Sequence, residues 1–373
     1  MGRKGRKNGS AADLLSTTAA LLLTVVLSLP AWPLLARCTA VAATVAVLPE
    51  GGLYYLRQRF APEVVPPDQP QQPAEQEQQT TAPPAMEDPP FQPEKEEEDE
   101  PVPEEFRGML LHETFTAIDD GTWLDLGEGW LRNYTALGFE DIRQAVEETP
   151  LLQLQATEQP QVLILHTHAT ESYETHSGEY YDTRSSWRTQ NEAENVCAIG
   201  AIVAEELEAA GIGVILDTTQ HDHPGYNGSY DRSRSTAQAI LDEHPTIQVI
   251  LDIHRDAIQR DATTIVAPVT TIDGTPCAQV MIAAGCDDGM LNMPNWRQNL
   301  RFAVELQNRM EADWPTLTRP LFFAHRKYNQ DMAPGALLIE MGASGNTFDE
   351  AAYAAQLTGK TLAKLLKEME EQE

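Results

Sequence analysis

Cysteine is scarce in this chain. The 373 residues contain four, Cys38, Cys197, Cys277 and Cys286, and no CxxC, which excludes a thiolate zinc module and a dense disulfide framework. A Cys277–Cys286 bond would need an oxidising compartment; buried free thiols are the expectation. Positive charge is scarce too: 26 Lys and Arg against 57 Asp and Glu give a net charge of −31. That balance excludes nucleic acid as a partner, because phosphate contacts need clustered Lys and Arg. The cluster Arg3, Lys4, Arg6 and Lys7 is too small to reverse it. No internal repeat is visible.

What is present falls into four regions. In residues 1–60 the basic cluster precedes an apolar run from Leu14 to Leu35, about the twenty residues that a bilayer core requires. The flanking charge predicts a cytoplasmic basic tip, a single retained transmembrane anchor and an extracytoplasmic remainder. Apolar residues resume at Val41–Leu48 in a juxtamembrane segment, which a cleaved signal peptide would not show. Residues 61–105 are Pro, Gln and Glu, with the acidic stretch Glu94-Lys95-Glu96-Glu97-Glu98-Asp99-Glu100. Such a segment cannot bury enough apolar area to offset its ordering entropy, so it reads as a disordered, extended tether. Residues 106–150 read as a small subdomain or a lead-in, and 151–373 as the catalytic domain.

Strand-like and helix-like periodicities alternate through the catalytic domain. Val162–Leu165, Gly213–Leu216, Ile247–Ile253, Gln279–Ala284 and Ala336–Met341 read as strands. Asn195–Ala210, Ser235–Glu243, Trp296–Met310 and Ala351–Met369 read as helices, the first stopped by Gly211. The alternation predicts an α/β fold with a mostly parallel sheet.

Three strand ends carry groups that a buried strand has no structural use for: His166-Thr167-His168-Ala169-Thr170-Glu171, Asp252-Ile253-His254-Arg255-Asp256 and Leu338-Ile339-Glu340-Met341. In open α/β sheets ligands bind beyond the carboxyl ends of strands. Two His and one carboxylate around zinc leave a position for water, and a separate carboxylate serves as base. His168 and Glu171, in His-x-x-Glu spacing, and His254 are the candidate ligands of Zn2+; Glu340 is the candidate general base. His166 is an alternative ligand or a supporting donor, because two residues on an extended strand point the same way. Glu192 and Glu194 are rivals to Glu171. Arg232, Arg234 and Arg255 are candidates for gripping substrate carboxylates, Arg255 also for stabilising an oxyanion. Asn227, Asn329 and Gln330 are candidate hydrogen-bonding residues for substrate. His221-Asp222-His223 reads as structural, and His112, His176, His244 and His325 carry no assignment.

Several segments, in order, resemble the stage II sporulation protein P family: His166-Thr167-His168-Ala169-Thr170-Glu171-Ser172-Tyr173, His221-Asp222-His223-Pro224-Gly225-Tyr226-Asn227-Gly228-Ser229-Tyr230, Asp252-Ile253-His254-Arg255-Asp256-Ala257, Met293-Pro294-Asn295-Trp296, Tyr328-Asn329-Gln330-Asp331-Met332 and Leu338-Ile339-Glu340-Met341-Gly342. The resemblance implies a three-layer α/β/α fold similar to zinc N-acetylmuramoyl-L-alanine amidases. It implies cleavage of the amide joining muramic acid to the stem peptide, with some cutting of peptide cross-links, during engulfment in endospore formation. It also implies stage II sporulation protein D and other engulfment membrane proteins as partners. His-Thr-His-Ala-Thr-Glu stands where related amidases carry Asp-Pro-Gly-His-Gly-Gly, which keeps the carboxylate ligand open. The His-x-x-Glu spacing also resembles zinc carboxypeptidases, so a peptidase acting on the stem, or a non-catalytic tethered wall-binding module, are the alternatives.

Overall fold

The computed structural model describes residues 102–370, apart from 119, 120, 151, 156, 158, 176 and 177. The anchor, the juxtamembrane segment, nearly all of the acidic tether and His176 lie outside the described residues. Of two units, Met1–Glu94 and Lys95–Glu373, every described residue belongs to the second. Among the described residues no helix is long and apolar enough to cross a membrane.

The elements are, in order, β1 (Arg107–Glu113), β2 (Trp123–Asp125), β3 (Trp130–Asn133), α1 (Phe139–Val146), β4 (Pro160–Leu165), β5 (Tyr180–Asp182), α2 (Val196–Ala209), β6 (Gly213–Leu216), α3 (Ser229–Glu243), β7 (Val249–Asp256), β8 (Thr264–Ile272), β9 (Thr275–Ala278), β10 (Val280–Gly285), α4 (Trp296–Asp313), β11 (Leu321–Ala324), β12 (Gly335–Ala343) and α5 (Phe348–Glu370). Eight strands form one sheet in the order β2-β3-β11-β10-β12-β7-β4-β6, and β5-β1-β8-β9 form a second. In the large sheet β12, β7, β4 and β6 run parallel, as do β10, β11 and β3; β12 meets β10 antiparallel.

Side-chain alternation along these strands fixes two faces. Val162, Ile164, Leu251, Ile253, Leu337, Ile339, Ile282, Phe323, Leu131 and Leu124 enter the main core with residues of α1, α2, α4 and α5. Leu163, Leu165, Ile250 and Ala336 pack on the other side with Ala237, Ile240 and Leu241 of α3. Strands apolar on both faces are what a covered parallel sheet requires, and each fully buried Leu or Ile contributes about 1.5–3 kcal/mol.

Local chemistry explains where the elements begin and end. Asn195 caps α2 by accepting from Cys197 N at 2.9 Å. Gly211, at φ +77°, ends it in the left-handed conformation that glycine adopts without cost. Helix α3 starts at Ser229, six residues earlier than its apolar spacing predicts. Its first turn is polar because it faces the strand ends: Ser233 meets Thr167 Oγ1 at 2.8 Å. Strand β7 runs through His254 and Arg255 to Asp256, beyond the predicted end at Ile253. Those polar residues stay extended because β12 pairs with them, Glu340 opposite His254. Within residues 106–150, β1 pairs with β8, and β2–β3 extend the large sheet beside β11. Cys197, Cys277 and Cys286 are buried free thiols.

Gly200 of α2 lies against the His166 ring; a Cβ there would stand 2.6 Å from its Nε2. Alanine elsewhere in a helix stabilises relative to glycine. Here Gly200→Ala is expected to destabilise by about 1–3 kcal/mol through overpacking, read as a lowered denaturant midpoint at unchanged slope.

Candidate metal centre

The site begins where β4 stops. The chain turns at once, with Glu171 N donating to His168 O at 3.1 Å. This turn brings the His-x-x-Glu side chains together. Asp252 on β7 holds it, accepting from Thr167 N at 2.8 Å and Thr167 Oγ1 at 2.7 Å. The turn also separates the two histidines. His166 keeps the parity of Ile164 and lies beneath α2, its Nδ1 2.9 Å from Ile253 O. His168 lies on the opposite side, stacked on Tyr226 at 4.5 Å and edge-on to His254 at 5.3 Å between ring centroids.

His254 is the hub. Its Nδ1 is 3.4 Å from Glu171 Oε2, and its Nε2 is 2.8 Å from Asp252 Oδ1. The second contact is close but lacks hydrogen-bond alignment, since Nε2 has no hydrogen-bond partner; it is an ion pair. Glu340 is its cross-strand neighbour on β12, on the same sheet face. His166, His168, Glu171, Asp252 and His254 are all at most 8% exposed.

Burial and charge set the protonation states. Burial pushes Glu171 up, but Arg255, His254 and His168 outweigh it and hold the carboxyl at about 2. Burial lowers His254, yet Asp252 and Glu171 overcome it and raise the imidazole well above its ordinary value. His168 falls to about 4 through burial and the neighbouring His254, and His166 to about 4 chiefly through burial. Glu340 rises to about 8, through burial first and then Asp256.

His168, Glu171 and His254 fit zinc in kind: two imidazoles and a carboxylate. His168 Nδ1 is buried and without a partner, as is Glu340 Oε2, and a buried orphan acceptor is costly unless something satisfies it. Asp252 behind Nε2 is the outer carboxylate that metal-bound histidines usually carry. Among the described residues, however, no three donor side chains close around a single point.

The remaining candidates are engaged elsewhere. Buried Arg255 donates to Ser172 O and Trp187 O, both at 2.9 Å, and its backbone N donates to Glu171 Oε2 at 3.2 Å. It thereby positions Glu171. Arg232 donates to the carbonyls of His221, Asn227 and Gly225, and so shapes the loop before α3. Arg234 grips Asp331 with two bonds, at 2.7 and 2.9 Å. Asn329 donates to Tyr230 O at 2.9 Å. Gln330 is 1% exposed and bridges Gly285 N and Ala283 O, both at 2.8 Å. Asn227 is exposed, as are Glu192 and Glu194. His221 uses both ring nitrogens, on His166 O and Thr236 Oγ1. Three participants had no sequence signal strong enough to single them out. Asp252 looked like one more strand-end acid. Asp222 binds Arg188 at 2.6 Å and Thr170 Oγ1 at 2.6 Å. Tyr226, 54% exposed, covers His168.

Residues 54–366 match the profile of the family described as Stage II sporulation protein P (SpoIIP). The chain belongs to that family. The Bacillus subtilis (strain 168) stage II sporulation protein P is 31% identical over 216 residues, 55% of this chain and 50% of that protein. The chain thus spans about half the length of that curated relative. Among solved structures, the amidase AmiC2 of Nostoc punctiforme superposes with a TM-score of 0.34 at 11% identity, over 58% of this chain and 98% of that one. The CwlD amidase of Clostridioides difficile, solved with the GerS lipoprotein, does so with 0.33 at 13% identity, over 56% and 98%. Likeness at that level carries no argument about the activity of this SpoIIP-family chain.

Glu340 yields a pH test. Its folded pKa, about 8, lies above the ordinary 4.5. The metal-free folded protein therefore keeps a proton that the unfolded chain releases. The resulting stabilisation is complete below pH 4.5 and is lost as pH rises through 8. Glu340→Gln lacks this dependence, so its stability relative to the wild type should climb steadily between those limits in denaturant titrations of zinc-free protein. A pH-independent difference would refute the raised pKa.

Proposed function

We propose that this chain is a membrane-anchored, zinc-dependent peptidoglycan hydrolase that cleaves the N-acetylmuramoyl-L-alanine amide during endospore engulfment, with its catalytic domain on the outer side of the membrane. Family membership supports the setting. One observation supports the chemistry: His168 and Glu171 each lie against His254 at one rim of the sheet, with the half-buried, protonatable Glu340 opposite His254 on the next strand. The covered faces of the sheet support a three-layer α/β/α reading. Peptidoglycan as substrate, stage II sporulation protein D and other engulfment membrane proteins as partners, and the single N-terminal span belong to the same proposal.

His168, Glu171 and His254 would hold the metal. Zinc, when bound, lowers the pKa of water and polarises a carbonyl. The protein does the rest. A carboxyl with a pKa near the working pH both accepts and returns a proton efficiently. Ionised beside the bound metal, Glu340 would take the proton of the attacking water and deliver it to the departing alanine nitrogen. Arg255 and Asp252 act from behind, fixing Glu171 and His254. The Asp222–Arg188–Thr170 cluster stiffens the turn that carries His168 and Glu171.

Glu340→Gln should retain zinc and lose at least ~100-fold in hydrolysis, whereas His254→Ala should lose both zinc and hydrolysis. Asp252→Asn should weaken zinc by roughly 10–100-fold, read by competition with a chelator. Muropeptide analysis of digested sacculi, with and without chelator, tests the reaction. Free stem peptides that vanish with chelator are expected; shortened or merely uncrosslinked stems would replace the amidase with a peptidase.

A further inference from the structure

Helix α3 covers only a portion of the sheet face that holds His254 and Glu340. The residues it packs on, Leu163, Leu165, Ile250 and Ala336, belong to β4, β7 and β12. Past β12 the same face continues across β10, β11, β3 and β2. Register and alternation identify what stands there. Leu124, Leu131, Leu321, Phe323, Val280 and Ile282 point into the main core. The face turned the other way, towards the side of Glu340, therefore carries Met281, Phe322, Trp130, Arg132, Tyr134 and Trp123.

These side chains form a connected strip. Phe322, Arg132 and Trp123 are direct cross-strand neighbours on three adjacent strands. Tyr134 packs on Phe322 at 4.8 Å between centroids. The exposed Arg132 guanidinium lies 4.8 Å from the Trp123 ring centroid and 5.0 Å from that of Tyr134. Tyr134 is 48% exposed, and Trp123, Trp130, Met281 and Phe322 are half-buried. The strip also joins the site. Met281 is the cross-strand partner of Glu340, and Arg319, two residues before β11, pairs with Asp256 at 2.8 Å. From His254 to Trp123 is five strand spacings, about 24 Å.

A row of half-exposed aromatic and apolar side chains that no helix of the described residues packs against calls for an occupant. Pyranose rings present an apolar C–H face to an aromatic ring and place hydroxyl and amide groups at their edges. A row of half-buried rings with a guanidinium between them suits such a polymer, since rings supply area and Arg supplies fixed donors. The strip also starts on β10, the strand next to the one that carries Glu340. We infer that this half of the sheet face is a docking track for the glycan strand of N-acetylated sugars, holding the polymer while the metal centre acts on one of its side branches; this rests on the amidase reading above.

The test measures binding of full-length protein, in the Glu340→Gln background, to peptide-free glycan strands. Trp123→Ala combined with Tyr134→Ala should bind strands roughly tenfold more weakly. Tyr134→Phe, which keeps the ring, should bind like its parent. Arg132→Ala and Tyr134→Ala change exposed positions and report even where Trp123→Ala does not fold; parental binding by both, with an unchanged thermal midpoint, overturns the track. Digestion of sacculi by the wild-type protein with zinc runs in parallel. Strand binding that depends on the strip without release of stem peptides would overturn the amidase reading and leave the track standing.

Discussion

The site depends on the Asp252 carboxylate. It sits on the central strand β7 and reaches two ways: to the backbone and hydroxyl of Thr167, and to the ring of His254. It ties the chain leaving β4 to β7, where His168 and Glu171 lie beside His254. A charged group this deep is unfavourable unless it is fully partnered. Here the partners are the components of the site, so cohesion and function share the same contacts.

Much of the architecture was legible from the chain. The runs at Val162, Gly213 and Ala336 are strands, and the caps of α2 fall where Asn195 and Gly211 indicate. Each of these features rests on a local rule that tertiary packing does not override. The smaller sheet was not legible, since β1, β5, β8 and β9 are short or mixed in polarity and owe their form to pairing. The early start of α3 was hidden for a related reason: a helical turn that faces a polar site has no apolar stripe. The reversal between β12 and β10 follows from chain connectivity, which periodicity does not encode.

That His168, Glu171 and Glu340 each neighbour His254 follows a readable signal, because strand-end acids and imidazoles are rare in a buried sheet. Which histidine belongs was not readable. Alternation alone puts His166 and His168 together, whereas the turn at residues 167–170 sends them to opposite sides. The arginines and amides show a second use of polar side chains. Arg232, Arg255 and Gln330 have the chemistry of ligand contacts, yet loops passing over a sheet need internal donors just as much. Sequence shows capacity, and only packing shows where that capacity is spent.

The antiparallel junction between β12 and β10 divides responsibility along the rim. On one side of it lie the carboxyl ends of β4, β7 and β12 with the ionisable groups; on the other lie the amino ends of β10, β11 and β3. Segments entering those amino ends supply none of the clustered His and Glu side chains, yet Arg319 reaches across the junction to pair with Asp256 at the end of β7. One reversal of strand direction thus sets two opposite kinds of strand terminus side by side on a single rim, tied across it by one ion pair.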